Sequence, residues 1–300
     1  MLIPTLDEAP TIADVIEGFR RQGYENVLVV DGGSADGTPE IAAEHGARVI
    51  SQTGEGKGQA VREALSFVDA PFVLMVDGDG TYDPADAHRM LEPLTRGYDH
   101  VVGNRFANME PDAMRRLNGL GNRLINLGFR LVHRGDARDI LSGYRAFTAE
   151  SVRRLPIDAE GFGIETELAV ECVKHDVPTA VVPITYRPRP ADSETNLHPV
   201  RDGGTIILTL YSLAKTNNPL FYFGSVGVGS LGAGGLLAAY VLYRWYVVGV
   251  AHEILALGAA AGILLGVQLL IFGVLSDMIV TLHREQRQRL ERIAREGRRR

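Results

Sequence analysis

Two stretches near the C-terminus restrict this chain most. Residues 220–243 hold no charged side chain, and neither do residues 254–276. Each is long enough to cross a bilayer as a helix, which needs about 20 apolar residues. Core helices of a soluble protein are the competing explanation, and length weighs against it. Gly224, Gly227, Gly232 and Gly235 recur in the first stretch, and Gly258, Gly262 and Gly266 in the second. Such spacing suits close helix packing in lipid. Phe221, Tyr222 and Phe223 at one end, with Tyr243, Trp245 and Tyr246 at the other, resemble interfacial aromatic belts. About ten residues separate the two stretches, so a transmembrane hairpin is expected.

Charge supports a membrane setting. Residues 280–300 carry eight arginines and three glutamates, in a chain whose formal net charge is −6. A basic tail behind an acidic body fits a domain tethered at anionic lipid and argues against general nucleic-acid binding. The arginines place the tail in the cytoplasm, and two spans return the N-terminal domain to the same side. The one cysteine, Cys172, excludes an internal disulfide framework and fits a reducing compartment. Met1-Leu2-Ile3-Pro4 runs straight into a strand that is expected to lack its beginning, and no signal peptide is expected. The expected organisation is a catalytic domain over 1–200, an interfacial segment over 201–218, a hairpin over 219–279 with spans near 220–243 and 254–276, and a tail over 280–300. In the segment, Ile206, Ile207, Leu210, Leu213 and Ala214 form one apolar face; an ordinary buried helix is the alternative.

The first 200 residues alternate strands with helices. Apolar runs at 26–30, 48–50 and 72–76 predict buried strands. Ile12, Val15, Ile16 and Phe19 follow the i, i+3, i+4, i+7 spacing of an amphipathic helix. Helices are also expected over 113–133, with Leu117, Leu120, Leu124 and Leu127 on one side, and from near Glu165; a late strand is expected at 181–184. This pattern predicts an α/β fold with a mainly parallel sheet and helices on both faces. Ligands of such sheets bind beyond the C-terminal strand ends. The polar residues collect there: Thr5 to Glu8, Asp31 to Ser34 and Asp77 to Gly80. Asp77 and Asp79 end a buried run, where unpaired carboxylates are costly. A hard divalent cation bridging to a diphosphate is the functional reading; an acidic turn is the plain one. Three acidic or Gly-rich strand ends favour the ligand site.

These motifs together resemble a family 2 glycosyltransferase of GT-A fold, in the polyprenyl- or dolichyl-phosphate hexosyltransferase branch. The resemblance rests on IPTLDEAPTI (3–12), VVDGGSADGT (29–38), GKG (56–58), VDGDGTYDP (76–84), GNRF (103–106), DILSGYRAF (139–147) and GFGIETEL (161–168). TNLHP (195–199) and AKTNNPLFYFGSVG (214–227) are similar to archaeal members that begin S-layer protein N-glycosylation. The resemblance implies a nucleotide-sugar donor, UDP-glucose first and GDP-mannose as runner-up, a dolichyl phosphate acceptor, and Mg²⁺ or Mn²⁺. It implies that Pro4, Thr5 and Glu8 line the nucleoside pocket, that Asp31 accepts a hydrogen bond from the base, and that Lys57 lies near the nucleotide. Asp77 and Asp79 are implied metal ligands, Arg105 a partner of the acceptor phosphate, and Asp139, Ser142 and Arg145 part of the segment facing the sugar. Three positions depart from the family pattern: Asp7 where many relatives have Asn, Tyr82-Asp83 after the acidic pair, and no lysine near Asn196 and His198.

The chemistry expected is in-line attack by a lipid phosphate oxygen on the anomeric carbon, with inversion. That oxygen is already anionic, so a strong general base is less necessary than for a sugar hydroxyl acceptor. Asp79, Asp139 and Arg105 are the expected catalytic residues. Asp139 or Glu165 could orient sugar hydroxyls; alternatively Asp139 pairs with an arginine such as Arg145, and Glu165 and Glu167 form a solvated helix face. A processive polysaccharide synthase is disfavoured because Val241, not Gln, precedes Arg244-Trp245 in place of its Gln-x-x-Arg-Trp motif. A sugar nucleotidyltransferase would not need the hairpin. A non-enzymatic sugar-nucleotide sensor would keep its function without Asp77 or Asp79.

Overall fold

The computed structural model describes residues 1–54, 56–114, 116–133, 138–156, 163–190, 204, 211, 214–215 and 218–297. The chain divides into two compact units, Met1–Thr209 and Leu210–Arg300. Asn196, His198 and most of the 201–218 segment lie outside the described residues.

In the first unit, seven strands form one sheet: β1 (Leu2–Thr5), β2 (Leu28–Asp31), β3 (Arg48–Ser51), β4 (Phe72–Met75), β5 (His100–Met109), β6 (Arg145–Thr148) and β7 (Thr179–Tyr186), in the order β3-β2-β1-β4-β6-β5-β7. β1, β2, β3 and β4 run parallel, as do β5 and β7. β6 is the exception: it is antiparallel to both β4 and β5. It was not expected as a strand, because its four residues lie inside a motif and show no distinct apolar run. Its reversal sets Arg145 beside Met75 and Val102. The start of β6 therefore reaches the strand ends where ligands bind in such sheets.

Helices cover both faces. α1 (Ala9–Arg21) buries Ile12, Val15, Ile16 and Phe19, the four residues its spacing singled out. Pro10 suits its first turn, and Gly23 leaves it at φ 89°. With α4 (Ala87–Thr95), it packs on the sheet face that carries Ile3, Val29, Val76 and Val101. α3 (Lys57–Leu65), α6 (Ala149–Arg154) and α7 (Ile164–Lys174) pack on the opposite face with Leu2, Val30, Met75 and Phe147. Burying each large apolar side chain contributes about 1.5–3 kcal/mol. α2 (Thr38–Glu44) lies between β2 and β3 in the chain. α5 (Arg116–His133) buries Ile125, Phe129 and Val132, whereas Leu120, Leu124 and Leu127 are exposed.

The second unit is a pair of helices, α8 (Pro219–Val248) and α9 (Glu253–Gly297). Pro219–Val248 and Glu253–His283 are long and apolar enough to cross a membrane, with mean hydropathy 1.6 and 2.4. Small residues lie between them and large ones point out. A Cβ on Gly227 would stand 2.9 Å from the Gly266 carbonyl oxygen, and one on Gly234 2.8 Å from the Ile263 nitrogen. Ser230 Oγ donates to the Gly262 carbonyl at 2.8 Å. Leu236, Ile254, Leu257 and Leu264 are exposed. Packing of this kind suits helices whose solvent is lipid.

Candidate functional site

The loops after β1 and β2 are tied together. Ser34 Oγ accepts from the Asp7 N–H, Thr38 Oγ1 from the Glu8 N–H, and Asp36 Oδ2 from the Ala9 N–H, all at 2.9 Å. Asp7 Oδ1 accepts from the Ala35 N–H at 2.9 Å. A carboxylate serves this turn as well as an amide carbonyl would, which accounts for Asp7. Asp31, at the end of β2, accepts from the Gly33 and Ser34 N–H groups at 2.9 and 3.0 Å and from the Ser34 hydroxyl at 2.5 Å. Its two oxygens thus close the turn, with lone pairs to spare for a donor on a ligand. Pro4 and Thr5 end β1 in buried positions, and Thr5 Oγ1 is buried without a hydrogen-bond partner.

Thr11 binds these loops to the end of β4 by donating to the Gly78 carbonyl at 2.7 Å. Asp79 is buried; one of its oxygens accepts from Thr81 N–H at 3.1 Å and Thr81 Oγ1 at 2.7 Å, and the other from Arg189 at 2.7 Å. Arg189 also lies 3.8 Å from Glu8. Burial, and then the Asp79 charge, push the Glu8 carboxyl up to about 7. Asp77 pairs with Lys57, whose ammonium also pairs with Glu165. Burial opposes the Lys57 charge, but Asp77 and Glu165 outweigh it and hold its pKa above the ordinary range. Gly143 lies against Asp77: a Cβ there would stand 2.2 Å from Asp77 Oδ2.

Asp139 is fully buried and forms a fork with Arg105, accepting from Nε and Nη2 at 2.8 Å each and from the Arg105 N–H at 3.0 Å. The arginine that sequence proximity pointed to, Arg145, is not its partner. The sheet order explains this, because β5 brings Arg105 to Asp139. Arg145 is fully buried and faces carbonyls instead: Ser142 at 2.9 Å, Ile140 at 2.6 Å and Glu165 at 2.8 Å. It also donates to His100 Nε2 at 3.3 Å. Burial and this guanidinium hold His100 neutral, well below its usual pKa. Arg145 thus lies behind the site, joining the 139–145 turn to the start of α7. Ser142 is buried in that turn, with its hydroxyl unpartnered.

The departure at Tyr82-Asp83 also finds its place. Tyr82 packs between Tyr144 and Tyr186 and accepts from the Gly143 N–H at 2.9 Å. Asp83 caps the following turn through Ala85 N–H and pairs with Arg187. Among the described residues no three His, Cys, Asp or Glu side chains converge as a metal-ligand group. The acidic pair nonetheless suits a hard cation. Its oxygens are the donors such ions take, and each carboxylate already faces a positive side chain. Asp77 and Asp79 would hold Mg²⁺ or Mn²⁺.

One participant, Arg189, escaped sequence reasoning, and so did the partner of another, Glu165. Arg189 sits in Pro188-Arg189-Pro190, just after β7; prolines on both sides of one arginine stiffen its backbone and were the available signal. Glu165 is buried rather than solvated, and nothing in the spacing of α7 reveals the lysine that binds it.

The glycosyl transferase family 2 profile matches residues 1–155. The chain is 60% identical over 294 residues to the glycosyltransferase AglJ of Haloferax volcanii, covering 98% of this chain and 97% of that one. It is 34% identical over 208 residues to a dolichyl-phosphate hexose transferase of the same organism, covering 69% and 89%. A crystal structure of glucosyl-3-phosphoglycerate synthase from Mycobacterium tuberculosis, in complex with Mn²⁺, uridine diphosphate and glucosyl-3-phosphoglycerate, superposes with a TM-score of 0.59 at 24% identity, over 71% of this chain and 78% of that one. The sheet with its covering helices is therefore of the GT-A type.

Proposed function

Since the chain belongs to glycosyl transferase family 2, we propose that it transfers glucose from UDP-glucose to dolichyl phosphate with inversion, forming a lipid-linked sugar that starts protein N-glycosylation. The observation that carries this reading is the meeting of Asp77, Asp79, Lys57 and Arg189 at one end of a sheet, in a chain with two helices long enough to span a bilayer. The site offers negative oxygens for a metal and positive groups for a diphosphate. The spans keep the chain where a lipid phosphate resides. The 34% identical relative named for dolichyl-phosphate hexose transfer supports the acceptor class.

When bound, a divalent cation acts as a Lewis acid on the departing diphosphate. Asp77 and Asp79 would hold that ion. The turn after β2, with Asp31, receives the nucleoside beside Pro4, Thr5 and Glu8. Lys57 and Arg189 meet the diphosphate oxygens by charge-assisted hydrogen bonds. The Arg105–Asp139 fork uses Nε and Nη2, so the edge bearing Nη1 is left to meet the acceptor phosphate. Asp139 sets the plane of that guanidinium, and Arg145 and Ser142 shape the turn carrying Asp139. We assign the catalytic domain and the basic tail to the cytoplasmic side, following the arginine bias.

The test incubates membranes containing the protein with a panel of nucleotide sugars and dolichyl phosphate and identifies the lipid product by mass spectrometry. A dolichyl phosphate carrying one hexose, made from UDP-glucose, is expected. Product from GDP-mannose alone would change the donor. Absence of lipid product with every donor would overturn the reading.

A further inference from the structure

Both members of the acidic pair already hold a cation supplied by the chain. Asp77 takes Lys57, and Asp79 takes Arg189 at 2.7 Å. Glu165 shares Lys57 with Asp77 and is the more buried of the two carboxylates, with 9% of its side chain exposed against 27%. A carboxylate buried to this degree needs a charge partner, and Lys57, on α3, reaches across to provide it from outside α7. Glu165 is in turn anchored from behind, because its own carbonyl accepts from Arg145. The result is a fixed resting position for one ammonium group at the mouth of the metal site.

We propose, resting on the donor site described above, that Glu165 is a positioning residue acting through Lys57, and that Lys57 and Arg189 make binding of the divalent cation conditional on a diphosphate. A metal ion arriving alone must push both chain cations off Asp77 and Asp79. Lys57 then loses one of its two carboxylates and Arg189 its 2.7 Å partner, and both cations lie beside a new like charge, which is costly. A diphosphate removes this obstacle. Its oxygens accept Lys57 and Arg189 while the carboxylates turn to the metal, so both cations and both members of the acidic pair keep an opposite partner. Metal and diphosphate then bind as a coupled pair, and each raises the affinity of the other by the same factor. Glu165 competes with the diphosphate for Lys57 and takes the lysine back when the diphosphate leaves.

The test uses the full chain in nanodiscs. Binding of Mn²⁺ is followed by the electron paramagnetic resonance signal of the free ion, with no nucleotide, with UDP and with GDP; nucleotide affinity is measured by calorimetry. Mn²⁺ should bind weakly alone and about tenfold more tightly, or better, with a nucleoside diphosphate, within the usual range of such couplings. Lys57→Met should tighten Mn²⁺ binding in the absence of nucleotide and weaken nucleotide binding by about tenfold, the loss of one charge-assisted contact. Glu165→Gln should do the opposite to the nucleotide and tighten it, because it loosens only the resting position of Lys57. Equal Mn²⁺ affinity with and without nucleotide would overturn the inference and leave the donor-site reading intact. Absence of Mn²⁺ binding under all three conditions would sink the donor-site reading itself. Weaker binding of both Mn²⁺ and nucleotide in Glu165→Gln would reduce Glu165 to a structural part.

Discussion

Arg105–Asp139 and Lys57–Asp77–Glu165 are both clusters of opposite charge at the strand ends of one sheet, yet they are closed to different degrees. The first is a fork in which each oxygen of a fully buried carboxylate meets a guanidinium N–H at 2.8 Å. The second places one flexible ammonium between two carboxylates, one of which is 27% exposed. A closed pair is costly to break and has one geometry, so it serves to fix a loop. An open set can trade partners when a ligand brings new charge. The contrast separates a pair that presents its guanidinium in one fixed plane from a set that can change partners.

Asp139→Ala makes the most severe test of this contrast. It leaves the Arg105 charge buried without its partner, which costs about 3–5 kcal/mol. Thermal unfolding in detergent should show a large drop in Tm; an unchanged Tm would erase the distinction between the clusters. Next come Asp77→Ala and Asp79→Ala. They should reduce transfer by about 10²–10³-fold, the usual loss when a transition-state charge loses its support, while the chain stays folded. Full transfer by either variant, or by the parent in excess chelator, would remove the acidic pair from the chemistry. Gly143→Ala places a methyl too close to Asp77 Oδ2 for the carboxylate to stay where it is. A shift of the carboxylate by about 1 Å costs up to about 10²-fold in rate, and steady-state kinetics should show it in kcat with Tm nearly kept.

The smallest expected effect concerns Glu8. Its carboxyl is pushed from an ordinary 4.5 up to about 7, first by burial and then by Asp79. The folded chain therefore keeps a proton that the unfolded chain has released between those pH values, and stability falls as pH rises through that window. Glu8→Gln lacks this slope. Without added metal, its Tm relative to the parent should climb between pH 5 and 8; a flat difference would show that Glu8 does not feel the acidic pair.

Much of the architecture was legible because it follows from composition or periodicity. Ile12, Val15, Ile16 and Phe19 bury as their spacing requires, and the apolar stretches at 220–243 and 254–276 lie within α8 and α9. What stayed hidden depends on strand order, which no local pattern encodes. Arg145 is near Asp139 in sequence, but Arg105 is near it in space. The leucines of α5 look like a core-facing stripe, yet Ile125, Phe129 and Val132 hold that position. Lys57 and Glu165 are 108 residues apart, so their pairing emerges only when α3 and α7 cover the same face.

The reversed strand has a consequence for how the chain must be made. As it leaves the ribosome, β4 can pair at once with β1, which is already present. Its other edge waits for β6, whose residues 145–148 follow β5 in the chain. Until then β4 presents an unsatisfied row of backbone groups, the kind of edge that recruits stray strands. β5 waits for the same four residues before it joins the rest of the sheet. A pause in translation between β5 and β6 would thus expose an edge of β4 and both edges of β5 together. Synonymous codon changes over residues 110–148 should therefore affect the yield of folded protein more than the same changes within residues 28–51, where β2 pairs with β1 and β3 with β2 as soon as each is made.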